Sequence, residues 1–193
     1  LRLMVGCMAL LKYPLQEGLS VANLGVAGGS APMFLQQHFS QFIDEITYVD
    51  AEPTIFEGAT KKLGLRALSD IKTSFVADDA LDFLRKSGGI EQKRFDIILM
   101  GCFVGSAIPD HLMSPDMINV LKHSLTSTGV VAVNLPTLST KFLRDFEGVF
   151  GRDNVFHAGV PGQPNYVILA CKNAPTHAMS YRHVSRRMST FSS

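Results

Sequence analysis

The chain has 193 residues, 46% of them hydrophobic and 18% charged, with a net charge of +1. This length suits one domain with a sizeable core, and the near-neutral balance excludes a global field that would draw the protein to nucleic acid or a membrane surface. No apolar run reaches the roughly 20 residues needed to span a bilayer, and the opening Leu1–Leu11 stretch lacks the small-residue cleavage site of a signal peptide.

Residues 2–12 read as a helix that gives way to a loop at Tyr13-Pro14. Residues 20–25 form a first strand, apolar enough to be buried on both faces. Ser30 reads as the N-cap of a helix over 30–39, with Pro32 in its first turn. A second strand over 45–50 ends in carboxylates. Pro53 opens a helix to about Leu63, and Gly64 stops it. A third strand covers 71–76, ahead of a helix at about 79–87 that ends at Gly88-Gly89. Arg94–Met100 is the fourth strand, and residues 101–113 form a long irregular loop. Ser114-Pro115-Asp116 caps a helix to about Leu125, Thr128-Gly129 turns the chain, and Gly129–Asn134 is a fifth strand. Residues 138–150 are helical. Asn154–Gly159 and Asn165–Cys171 are two last strands, and the short joint Val160-Pro-Gly-Gln-Pro164 between them can only make an antiparallel hairpin. Residues 1–172 therefore read as one domain. Residues 173–193 carry Arg182, Arg186 and Arg187 with no acid, so they read as a flexible basic tail and leave the rest slightly acidic.

Val21-Ala-Asn-Leu-Gly25-Val-Ala27-Gly28-Gly29-Ser30 is the stretch that speaks to function. An apolar strand runs into a loop of small residues and then a helix. Small residues let the backbone approach a ligand, and the helix N-terminus directs N–H groups at it. Asp50, at the end of the second strand, lies about 20–25 residues further on, where a carboxylate can accept hydrogen bonds from ribose hydroxyls. The pattern predicts an adenosine-containing cofactor. Five strand–helix units predict a parallel sheet with helices on both faces. An antiparallel hairpin closing such a sheet disfavours a nicotinamide-dependent oxidoreductase. It is the plan of the S-adenosylmethionine-dependent methyltransferases.

Five pieces in register carry a family resemblance. They are Leu24-Gly25-Val-Ala-Gly28-Gly29-Ser30-Ala-Pro32-Met-Phe34 with His38-Phe39; Val49-Asp50-Ala-Glu52-Pro53 with Ala59-Thr60; Ala77-Asp78-Asp79-Ala80-Leu81-Asp82-Phe83; Phe95-Asp96-Ile97-Ile98; and Leu125-Thr126-Ser-Thr-Gly129-Val130 with Asn134-Leu135. The chain resembles the spermidine-synthase-like branch of the class I methyltransferases, and within it the methyltransferase-like proteins that modify translation elongation factor 1A. The resemblance implies a Rossmann-like fold of seven strands, five parallel plus a C-terminal antiparallel hairpin, and it implies S-adenosyl-L-methionine as cofactor. By the same resemblance Gly25, Ala27, Gly28 and Gly29 pack against the methionine part. Asp50 holds the ribose with Ala51 under the adenine edge, Asp79-Ala80 contacts the adenine amino group, and Met100 and Gly101 line the methyl-transfer centre.

The chain departs from the branch after the fourth strand. Aminopropyltransferases place an aspartate there, whereas this chain has Met100-Gly101-Cys102-Phe103 and no carboxylate before Asp110. A polycationic amine would need negative charge at that position, so polyamine synthesis ranks below methyl transfer to a protein amine, a lysine or an N-terminus. A catalytically inactive binding module with the same fold is the alternative. Asp110 and His111 are the titratable pair near the presumed substrate mouth and the candidates for proton transfer. Cys102 reads as a small buried hydrophobe, since no base is placed for it. His123 reads as a helix-surface residue. Asn134-Leu135-Pro136-Thr137 is similar to the Asn-Pro-Pro-type loop of amino-group methyltransferases, but it follows the fifth strand and reads as a strand end. Glu52 is placed to favour the next helix's N-terminus. Asp79 is an N-cap candidate as well, with Asp78 its solvent-facing neighbour. Three widely spaced cysteines, Cys7, Cys102 and Cys171, show neither metal-type pairing nor a disulfide framework, which suits a reducing, cytoplasmic setting. The chain opens on Leu1 rather than Met, so further residues are expected before it. A protein partner is expected; nucleic acid, membrane and metal are not.

Overall fold

A computed structural model describes residues 4, 6–11, 17–26, 29–62, 65, 70–89, 94–160 and 162–173. Seven strands form a single sheet in the order β3-β2-β1-β4-β5-β7-β6. They are β1 (Leu19–Leu24), β2 (Ile43–Asp50), β3 (Lys72–Ala77), β4 (Phe95–Met100), β5 (Leu125–Leu135), β6 (Val155–Gly159) and β7 (Tyr166–Cys171). The first five pair in parallel. β7 lies antiparallel between β5 and β6. Five α-helices accompany them among the described residues: α1 (Ser30–Phe39), α2 (Thr54–Lys62), α3 (Ala80–Gly89), α4 (Pro115–Ser124) and α5 (Thr140–Phe150).

The near-continuous apolar runs of the central strands follow from burial on both faces. Alternate residues of each strand enter different cores, because the side-chain period of a strand is two. On one face Val21, Ile46, Tyr48, Ile97, Leu99, Val130 and Ala132 pack with Leu35 and Phe39 of α1 and Ala59 of α2. On the other, Ala22, Leu24, Val49, Ile98, Met100, Val131 and Val133 meet Leu84, Leu121 and the phenylalanines of α5. The helices thus cover both faces, as the strand–helix alternation predicts. The terminal pair is antiparallel, as the Pro/Gly joint requires, with Val160 N–H donating to Asn165 O at 2.8 Å.

Three local expectations are corrected. The N-cap of α1 is Gly29, in the left-handed region at φ 69°, and no side chain caps the helix; Ser30 is already its first residue. The turn expected at Thr128-Gly129 is an irregularity inside β5. Phe95 pairs with Leu125 and Ile97 with Val130, so residues 126–129 bulge while the strand continues. A Cβ on Gly129 would come within 2.8 Å of the Phe95 carbonyl, so only glycine lets the strand close up again there. Of the helix expected over residues 2–12, Met4 is α-helical and Gly6–Leu10 form a 3-10 turn within which Cys7, Met8 and Leu10 are buried, while residues 2, 3, 5 and 12 lie outside the described residues. Tyr13-Pro14, Gly64 and the tail from 174 lie outside the described residues.

Phe146 is fully buried in α5, between the rings of Phe142 and Phe150, each 5.2 Å away. Phe146→Ala is expected to cost about 3–5 kcal/mol of unfolding free energy, from lost burial plus the cavity left behind. A urea denaturation series checks this, and a cost under about 1 kcal/mol would show that the α5 layer contributes little.

Candidate functional site

The two halves of the sheet wind in opposite directions from β1 and β4, so no crossover covers the carboxyl ends of these neighbours. The strand tips are fastened to one another there. Gly25 N–H donates to Val49 O at 2.8 Å, Gly101 N–H to Leu24 O at 2.8 Å, and Asp78 N–H to Asp50 O at 3.1 Å. Gly25 has φ 78°, and a Cβ on it would lie 2.6 Å from the Gly101 carbonyl oxygen. Two backbones meet here at a distance that no side chain tolerates. Above them opens a cavity of about 480 Å³, lined by residues from the tips of β1, β2, β3 and β4 and the loop after β4. Its size is that of a small-molecule site.

The β2–β3 side of this cavity is acidic. Asp50 accepts hydrogen bonds from Val26 N–H at 2.9 Å and Glu52 N–H at 3.0 Å, one on each carboxylate oxygen. A carboxylate has about four acceptor positions, so about two remain. Glu52 accepts from the Thr54 hydroxyl at 2.8 Å and from its N–H at 3.2 Å at the start of α2, as its expected helix-terminal role requires. These bonds hold its carboxyl below the usual range. Asp79 caps α3, its Oδ1 accepting from Leu81 N–H at 2.8 Å and Asp82 N–H at 3.3 Å. Its Oδ2 lies 2.8 Å from His111 Nε2. Burial alone would raise the Asp79 carboxyl. The bonds from His111, Asp82 and Leu81 together prevail and lower it. Asp78 is not the solvent-facing neighbour expected. It lines the cavity and holds Lys86 Nζ at 2.7 Å. Four carboxylates and no lysine or arginine thus line the cavity among the described residues.

The β4 side is apolar. Gly101, Cys102, Phe103 and Val104 leave the strand in sequence, and Pro109 and Leu112 complete the wall. Burial, followed by the charges of Asp50 and Asp79, pushes the Cys102 thiol up to about 12. At neutral pH it is a neutral thiol and no nucleophile. A Cβ on Gly101 would meet nothing within 4 Å, so the place where the branch carries an acid is open space. Val104 and Ala107 exchange backbone hydrogen bonds around Gly105, and Val104 stands 74% exposed at the rim.

Of the residues expected to bind a cofactor, Gly25, Asp50, Ala51, Asp79, Ala80 and Gly101 line this one cavity. Met100 does not, being fully buried beneath it among the side chains facing α3 and α4. Gly29 caps α1 and is not among the lining residues. Ala27 and Gly28 lie outside the described residues. Asp110 and His111 do not line the cavity either; Asp110 is exposed, and His111 is engaged by Asp79. His123 is exposed on α4, with its Nδ1 2.7 Å from Asn119 O. Asn134 pairs with Asn165 at a strand end, in keeping with the plainer reading of that motif. Sequence reasoning missed Ile55 on α2 and Val104, Pro109 and Leu112 after β4, none of which belongs to a local motif; the length of the loop after β4 was the only sign of the last three.

No family model matches the chain. A polyamine aminopropyltransferase of Vibrio vulnificus (strain CMCP6) is 29% identical over 138 residues, which is 72% of this chain and 43% of that protein. An eEF1A lysine and N-terminal methyltransferase of Mus musculus is 31% identical over 99 residues, 50% of this chain and 14% of that protein. The Homo sapiens protein of the same name is 28% identical over 143 residues, 68% of this chain and 20% of that protein. The chain thus spans less than half the length of these curated relatives. Human methyltransferase-like protein 13 in complex with SAH superposes with a TM-score of 0.80 at 22% identity, over 99% of this chain and 89% of that one. Spermidine synthase from Thermotoga maritima gives 0.63 at 15% identity, over 91% and 61%. The strand order and these superpositions show the class I methyltransferase fold. No helix among the described residues is long and apolar enough to cross a membrane.

Because the folded state lowers the Asp79 carboxyl, its stabilisation is complete above the ordinary carboxylate range and is lost as pH falls through the lowered value. Asp79→Ala is expected to cost about 1 kcal/mol at neutral pH through the lost cap. The gap to the wild-type chain should close as the pH falls below the ordinary carboxylate range. Urea unfolding at a series of pH values checks this; a gap that does not change with pH would show that the Asp79 charge contributes nothing.

Proposed function

We propose, from a chain that has the class I S-adenosylmethionine-dependent methyltransferase fold, that it is a methyltransferase acting on a protein amine, a lysine side chain or an N-terminus. The observation that carries this reading is the division of the cavity: backbone-anchored carboxylates on one side, a neutral apolar wall on the other. The acidic half suits a ligand with positive charge, since Asp50, Glu52, Asp78 and Asp79 all line it, Lys86 pairs with Asp78 from outside the lining, and no lysine or arginine is among the described lining residues.

The residues present fit S-adenosyl-L-methionine. Gly25 lets the tips of β1 and β4 close into a floor bare of side chains, and Asp50 and Asp79 keep acceptor capacity after their backbone bonds are counted. Asp50 would take ribose hydroxyls and Asp79 an amino group of the base, with Ala51 and Ala80 leaving room between them. When bound, the cofactor supplies an activated methyl group on a sulfonium. The chain's own contribution is alignment and exclusion of water. Cys102, Phe103, Val104, Pro109 and Leu112 form a wall in which an ammonium is disfavoured relative to the free amine, so an acceptor amine arriving there loses its proton more readily. No base is needed at Gly101 for that step. The eEF1A methyltransferases among the relatives support a protein acceptor and a cytoplasmic setting.

Gly101 favours one second reading. The open space there and the lack of an acid are also what a catalytically inactive binding module would have. The aminopropyltransferase reading loses ground for the same reason, because a polycationic acceptor would meet apolar side chains.

Calorimetry with S-adenosylhomocysteine tests cofactor binding. Asp50→Asn is expected to weaken binding at least roughly tenfold, the worth of hydrogen bonds to a charged acceptor. No binding by the wild-type chain would remove the basis of the proposal. Incubation with methyl-labelled cofactor and cell extract then separates the readings. A labelled protein supports the enzyme, and binding without labelling supports the inactive module.

A further inference from the structure

We infer that His111 is a positioning residue of the cavity. Through its bond to Asp79 it aims the one remaining acceptor site of that carboxylate at an adenine amino group, and it ties the nucleoside end of the cavity to the wall after β4. The inference rests on the cofactor reading above and adds a residue that lies outside the lining.

Asp79 is held on both of its oxygens. Its Oδ1 receives two backbone N–H groups, from Leu81 at 2.8 Å and Asp82 at 3.3 Å. Its Oδ2 has His111 Nε2 at 2.8 Å. The carboxyl titrates low, so at neutral pH it is ionised and can only accept. Nε2 therefore carries the hydrogen and donates. Counting lone pairs, Oδ1 is filled and Oδ2 has one acceptor position left. Asp79 lines the cavity, so that position is what it can offer a ligand. It matches a single N–H donor, such as the exocyclic amine of adenine, and it repels the 6-oxo group of hypoxanthine.

His111 is well held for this task. It lies in the 3-10 turn Asp110–Met113, which is anchored from below by Leu112, only 2% exposed. Its backbone oxygen accepts from the Ser114 hydroxyl at 2.6 Å, and Ser114 in turn caps α4 through Met117 N–H at 3.2 Å. Pro109 and Leu112 of this same segment line the apolar wall. The Asp79–His111 bond is thus a direct tie between the N-terminus of α3, which faces the nucleoside end, and the segment that bounds the acceptor end.

The test is calorimetric, with S-adenosylhomocysteine and its 6-oxo counterpart S-inosylhomocysteine as probes. The wild-type chain is expected to prefer the adenosyl probe at least roughly tenfold, as a site built to accept an N–H rejects an oxygen. In His111→Ala that preference should fall several-fold, because Asp79 keeps its charge and its backbone bonds but loses the contact that aims Oδ2. His111→Gln, which keeps an N–H donor of similar reach, should restore most of it. A merely structural role would weaken both probes alike and leave their ratio unchanged, which would overturn the inference while leaving cofactor binding intact. Equal affinity of the wild-type chain for the two probes would also overturn it. No binding of either probe would remove the cofactor reading along with it. Should His111→Ala fail to fold, the ring ¹⁵N signals of His111 in the wild-type chain decide. They should show an Nε2–H imidazole and move on adding the adenosyl probe, and their indifference to it would overturn the inference.

Discussion

The contact on which the rest of this molecule depends is the meeting of Gly25 with Gly101 at the tips of β1 and β4. A Cβ on Gly25 would overlap the Gly101 carbonyl, and Gly25 holds a positive φ that other residues resist. That close approach lets the backbone bonds Gly25–Val49 and Gly101–Leu24 extend the parallel ladder one residue past the strands. The extension brings the tips of β2, β1 and β4 into one floor and delivers Val26 N–H to the Asp50 carboxylate. Without it the cavity would have neither a floor nor a fixed acid.

Above that floor the charges are segregated by strand. The acids come from the ends of β2 and β3, where backbone N–H groups and helix starts are at hand to bind them. The neutral wall comes from the chain leaving β4, which carries glycine, cysteine, phenylalanine and valine in succession. Cys102 sits where the two halves meet, and the raised thiol records both the burial and the charges of Asp50 and Asp79. The chemistry open to such a site is one of orientation. Among the described residues the β4 side of the lining holds no thiolate and no carboxylate, and the methyl transfer proposed here takes its reactivity from the ligand. This agrees with a fold in which the cofactor is the activated partner.

The sheet was legible because parallel strands buried on both faces read as unbroken apolar runs, and Val21, Ile97 and Val131 sit where those runs predict. The antiparallel ending was legible because Val160–Pro164 is too short for a crossover. Asp50 and Asp79 were legible as strand-end and helix-start acids, since both positions follow from the alternation of elements. The N-cap of α1 was misread: Ser30 is a better cap than Gly29 by side chain, yet the left-handed turn that presses the loop toward Leu65 needs a glycine at that place. The bulge at Thr126–Gly129 was read as a turn, because a glycine squeezed by the Phe95 carbonyl across the sheet looks in sequence like one freed by a loop.

The sequence by itself determined the order of elements, their burial, the acids at the strand ends and the absence of an acid after the fourth strand, for each of these depends on neighbours a few residues away. The tertiary structure alone decided which of these residues share a cavity. It placed Met100 beneath the floor and turned Asp78 inward. It drew Ile55, Pro109 and Leu112 into the cavity lining and joined His111 to Asp79 across 32 positions of chain. Those outcomes depend on how β1 and β4 are brought side by side and on the path of a thirteen-residue loop between packed elements. Neither is written in any local spacing, because both are set by the packing of segments that meet only once the sheet has formed.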